Sequence, residues 1–61
     1  MINKKELILN ILEKNPTIST ARISHMIKAD QYRTISLLEE LLKEKKVIRI
    51  QTDKFTFWEL K

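Results

Sequence analysis

Residues 38–60 read Leu38-Glu39-Glu40-Leu41-Leu42-Lys43-Glu44-Lys45-Lys46-Val47-Ile48-Arg49-Ile50-Gln51-Thr52-Asp53-Lys54-Phe55-Thr56-Phe57-Trp58-Glu59-Leu60, and within them the hydrophobic period changes. Up to Leu42 the apolar residues recur at helical spacing, Ile35, Leu38, Leu41 and Leu42 falling at i, i+3, i+6 and i+7. From Ile48 the chain alternates, and Phe55 to Leu60 is rich in strand-forming residues. Thr52-Asp53-Lys54 separates the two runs as a turn, so the spacing predicts a long amphipathic helix followed by a β-hairpin. The lysines at 43, 45 and 46 suit the negative end of that helix. The turn has no glycine, which makes Asp53 the expected occupant of any left-handed position there.

Working back toward the N-terminus, Asp30 is a good N-cap for this helix, after a break at Ala29. Before it, Ser19 or Thr20 caps a second helix running to about Lys28, with Ile23, Met26 and Ile27 expected on its buried side. Pro16-Thr17-Ile18 is a short extended link, and Ile18 is its inward candidate. Asn3-Lys4-Lys5-Glu6 has capping-box spacing and opens a first helix that ends near Lys14, with Leu7, Ile8, Ile11 and Leu12 at helical spacing and Lys4, Lys5, Asn10, Glu13 and Lys14 on its wet side. Leu9 lies off the centre of that stripe.

Composition sets the limits. The 61 residues read as one domain, 43% hydrophobic and 33% charged, which is globular composition around a small core. The absence of cysteine excludes disulfides and thiolate metal sites, and one histidine, His25, builds no metal centre. The absence of glycine excludes Gly-rich phosphate cradles. No triad spacing appears, so neither a catalytic residue nor a cofactor is expected and the protein reads as a non-enzyme. No apolar run is long enough for a membrane span, nor does any secretion signal appear, which makes a cytoplasmic protein the default. Twelve Lys+Arg against eight Asp+Glu give a net charge of +4, which points toward nucleic acid as a partner.

Helix, extended link, helix, turn, long helix, hairpin: that order resembles the winged helix-turn-helix DNA-binding family over about residues 3–60. Ile8 to Leu12 resemble the family's first-helix core, and Thr17 to Ile23 its approach to the second helix. Leu38 to Ile50 resemble the end of its recognition helix passing into the wing. The family commonly carries a glycine near Lys45 or Lys46, and this chain departs from it there.

The resemblance implies a mainly α fold with a wing of two to three strands and DNA, duplex or single-stranded, as the partner. It places Gln31, Tyr32, Arg33, Thr34 and Ser36 on or near the exposed N-terminal part of the third helix, with Tyr32 either packing partly into the core or stacking on a base. Arg33 would take guanine and Gln31 adenine, while Thr34 or Ser36 would meet a phosphate or base edge. Arg22, Lys28, Arg49 and Lys54 would contact phosphate. Glu39, Glu40 and Glu44 make the later half of that helix unfriendly to phosphate. Trp58 and Phe57 fall on opposite faces of their strand, so either one of them faces away from the core and joins Leu9 or Leu37 in an apolar patch for a partner, or the hairpin curls enough to half-bury both. That partner is a second copy of the chain if the protein is a transcription regulator. It is a larger replication protein if the chain is an accessory subunit, and a protein–protein adaptor is the third reading.

Overall fold

The computed structural model describes residues 3–61. Three helices, α1 (Lys4–Lys14), α2 (Thr20–Ile27) and α3 (Gln31–Lys43), pack against a small antiparallel sheet. Its strands β1 (Ile18–Ser19), β2 (Val47–Gln51) and β3 (Thr56–Leu60) lie in the order β1-β3-β2. Each helix begins on the side chain expected of it. Asn3, Ser19 and Asp30 accept the backbone N–H of Glu6, Arg22 and Arg33 at 2.9, 3.3 and 2.7 Å.

Two helices end in Schellman turns made without glycine. After α2, Ala29 N–H bonds the Ser24 carbonyl and Lys28 N–H that of His25, with Lys28 left-handed at φ 57°. After α3, Lys46 N–H bonds Leu41 and Lys45 N–H bonds Leu42, each at 3.0 Å, with Lys45 at φ 61°. Asp53, by contrast, is not left-handed. The wing tip is closed by Thr52, whose hydroxyl accepts Phe55 N–H at 3.0 Å and whose own N–H donates to the Phe55 carbonyl at 2.8 Å.

The core is continuous from Ile8, Ile11 and Leu12 through Ile18, Ile23 and Ile27 to Leu37, Leu38, Leu41, Val47 and Trp58. Ile18 pairs opposite Trp58, which turns the predicted link into the third strand. Two helix faces sit rotated from their expected positions. On α2 Met26 is 42% exposed, and Ser24 takes the inner place with its hydroxyl donating to the Ala21 carbonyl at 2.8 Å. On α3 Ile35 is 39% exposed, while Thr34 and Leu37 are buried beside Leu38 and Leu41. Thr34 can occupy the core because its hydroxyl donates to the Asp30 carbonyl at 2.9 Å, leaving no orphaned polar atom.

Lysines expected to be solvent-facing also tie elements together. Lys4 Nζ donates to the Ile27 carbonyl at the end of α2 at 2.8 Å. Lys5 bridges from α1 to Glu44, at the end of α3, and lies 3.5 Å from Glu40. Hydrogen bonding to Lys5 holds the Glu44 carboxyl below its usual range, and the same bond raises the Lys5 ammonium. No described helix is long and apolar enough to cross a membrane.

Candidate nucleic-acid interface

Trp58 organises the surface between α3 and the wing. Its indole lies in the core and its Nε1–H donates to the Thr20 hydroxyl at 2.7 Å, pinning β3 to the first turn of α2. Trp58 stands opposite Arg49, Thr56 opposite Gln51 and Leu60 opposite Val47. Cross-strand partners share a sheet face, so Val47, Arg49 and Gln51 project to the Trp58 side. Val47 is buried there, while Arg49 and Gln51 run out over the edge of the core.

An open cleft of about 440 Å³ results, with α3 as one wall and the wing as the other. Gln31, Ile35 and Glu39 line it from α3, and Arg49, Gln51, Lys54 and Phe55 from the wing. Its floor is made by Ser19, Thr20 and Ala21 with Thr56 and Trp58. The spacing i, i+4, i+8 explains why those three α3 residues share one wall. Among the described residues the ion pairs join Lys5 and Lys46 to Glu40 and Glu44, so Arg49, Lys54 and Glu39 enter the cleft without an ionic partner.

The residues expected to read nucleic acid are divided by this geometry. Gln31, Arg49 and Lys54 come together in the cleft. Tyr32, 89% exposed, and Ser36 stand on the outer side of α3. Arg33 lies on the far side of the helix, in a shallow depression with Asn3, Lys4, Lys5, Leu37 and Glu40, away from the wing. Thr34 is withdrawn altogether: its position falls on the core stripe of α3, and its hydroxyl is committed to Asp30. Arg22 and Lys28 are exposed on α2 and its C-terminal turn, outside the cleft.

The expected apolar patch changes in the same way. Leu37 and Trp58 are buried in the core, which removes both as docking residues, and Leu9 is half-buried against it. Phe57 is half-buried, its ring 6.0 Å from that of Phe55 and tilted by 45°. Among the described residues the large apolar side chains left in solvent are instead Met26, Tyr32, Ile35, Ile48 and Phe55, the last 60% exposed. Sequence reasoning passed over Ile35, Glu39, Gln51 and Phe55 as cleft residues. Ile35 fits the core period, and only the rotation of α3 that buries Thr34 turns it toward the wing.

No family model and no curated protein sequence matches the chain. Solved structures do. The chain superposes over its full length on ZitR, a zinc-responsive MarR-family member from Lactococcus lactis, with a TM-score of 0.88 and 20% identity, covering 44% of ZitR. ZitR has also been solved in complex with DNA, and that structure matches with a TM-score of 0.89 and 17% identity, over 100% of this chain and 43% of that one. The Zalpha domain of PKZ from Carassius auratus, solved with Z-DNA, matches over 95% of this chain and 92% of its own, with a TM-score of 0.86 and 21% identity. The adhesin competence repressor AdcR from Streptococcus pyogenes gives a TM-score of 0.88 at 17% identity, with all of this chain covering 47% of AdcR. The chain therefore spans less than half the length of ZitR and AdcR but nearly all of the Zalpha domain. At such identities the likeness is one of fold: three helices and the β1-β3-β2 antiparallel sheet give the chain the winged helix-turn-helix fold.

Proposed function

We propose that the protein binds duplex DNA, with the exposed side of α3 in the major groove and the wing over the adjoining backbone, and that it acts as a transcription regulator. The observation that carries this reading is the cleft, where Arg49 and Lys54 on the wing, without a carboxylate partner among the described residues, face an exposed helix row across a gap open to solvent. An α-helix fits the major groove, and unpaired cations beside it supply the phosphate term that dominates affinity. Neighbours of the same fold, ZitR and the Zalpha domain, have been solved with DNA and Z-DNA. Gln31, Tyr32 and Ser36 then meet the groove, and Arg22 and Lys28 are further phosphate contacts. The proposed role is binding and not catalysis, within the cell that holds the DNA.

The test is titration of labelled duplex and single-stranded oligonucleotides at two salt concentrations. Duplex binding that weakens steeply with salt is expected; absence of binding to either form at low salt overturns the proposal. A second reading, an accessory subunit docked on a larger protein and gripping single strands, is favoured by the exposed aromatics Tyr32 and Phe55. Tighter binding to the single strand than to the duplex selects it.

A further inference from the structure

The α3 wall of the cleft carries a carboxylate where a phosphate-binding surface would be expected to carry none. Glu39 is exposed, lines the cleft opposite Arg49, Gln51 and Lys54, and belongs to none of the ion pairs among the described residues. Its neighbours Glu40 and Glu44 differ, since both approach Lys5 on the other side of the helix. Structural pairing therefore accounts for Glu40 in α3 and for Glu44 at its C-cap, but not for Glu39.

Gln31, Ile35 and Glu39 stand in one row, each about 6 Å along the helix axis from the next. Together they span about 12 Å, the length of roughly three to four base steps. The row alternates in chemistry. A glutamine amide matches the paired donor and acceptor of adenine, an apolar side chain meets the thymine methyl, and a carboxylate accepts from the amino group of cytosine. It also repels phosphate, so Glu39 is tolerated only where a base edge, and not the backbone, comes against it. The two walls thus divide the labour, with cations for the backbone on the wing and base-reading groups on the helix.

We propose that Glu39 is a specificity-determining residue that selects an amine-bearing base, cytosine first, at the end of a short site read by Gln31, Ile35 and Glu39. This assignment rests on the duplex-binding reading above. It replaces Arg33 as the main reader, because Arg33 faces away from the wing.

Selection from a pool of randomised duplexes, followed by anisotropy titration of the chosen site and its single-base variants, tests it. The intact protein is expected to prefer cytosine at one position by about tenfold over thymine. Glu39→Ala should flatten that position alone, and Glu39→Gln should move its preference toward adenine. Thermal melting of both variants checks that the exposed substitution leaves the fold intact. If Glu39→Ala instead tightens binding to every duplex by a common factor with base preferences unchanged, the residue only repels phosphate and the assignment is overturned. Duplex binding with no base preference in the intact protein overturns the assignment while leaving the duplex reading standing. Binding confined to single strands, or no binding, overturns both.

Discussion

Lys45 and Lys28 carry conformations that glycine adopts more cheaply. Both are left-handed, at φ 61° and 57°, inside Schellman turns whose hydrogen bonds require that geometry. A side chain with a Cβ costs about 1–2 kcal/mol there, partly offset by the greater freedom glycine has in the unfolded chain. Lys45→Gly is therefore expected to stabilise the protein by about 1 kcal/mol. In a domain of this size that raises Tm by about 4–8 °C, measurable by circular dichroism. An unchanged or lower Tm would mean that the lysine side chain contributes more at the end of α3 than the backbone strain costs. At the same scale, the Lys5–Glu44 contact gives a pH signature. The Glu44 carboxyl is lowered from 4.5, so its contribution is present above that value and fades as pH falls through the lowered one. The Lys5 ammonium is raised from 10.5, so its contribution is present below that value and fades as pH rises through the raised one. Glu44→Gln should consequently lower Tm slightly at neutral pH and low salt, and the difference from the intact protein should vanish under strong acid or high salt. A Tm difference that persists unchanged at acidic pH would rule out the charge pair as its source.

Helix and strand positions were largely legible in the sequence, whereas helix rotation was not. Caps are local, so Asn3, Ser19 and Asp30 announce the helix starts through their own backbone neighbours. Rotation depends on what lies opposite. The apolar period of α3 fits Ile35, but packing against α1, α2 and β2 turns Thr34 and Leu37 inward instead, and the Asp30 carbonyl, by accepting the Thr34 hydroxyl, lets that side chain be buried. The same non-local logic hid the fate of Trp58. Alternation along β3 showed that Phe57 and Trp58 oppose each other, but which one turned inward followed from β1 pairing at Ile18 and from the Thr20 hydroxyl. That hydroxyl is the sole hydrogen-bond partner of the indole N–H among the described residues. Thr20→Val keeps the shape and removes the acceptor, leaving a buried donor unsatisfied at a cost of about 1–3 kcal/mol. The expected result is a lower urea midpoint at unchanged slope, with Trp58 fluorescence altered in the folded state. A neutral effect would show that packing and the β1–β3 pairing hold the wing without this hydrogen bond.

Across the whole molecule, the net charge of +4 is less informative than where the cations stand. Lys5 and Lys46 are engaged with the carboxylates of α3, and Lys4 with the end of α2. Among the described residues the wing keeps Arg49 and Lys54 unpaired on one side of the cleft, and Arg33 lies on the opposite side of α3. A duplex seated on α3 and the wing therefore meets two of these cations and not the third. Each phosphate contact removed lowers the salt slope of binding by about one. Arg49→Ala and Lys54→Ala should each weaken duplex binding about equally for all sequences and flatten log K against log salt by about that amount. Arg33→Ala should leave the slope unchanged, and this contrast is sharper than any single loss, because all three substitutions remove one positive charge from the same small protein. Equal slopes for all three would mean that attraction follows net charge and that the cleft is not where DNA lies. A change confined to Arg33→Ala would put the duplex on the α1 side of the helix, with the wing turned away from it.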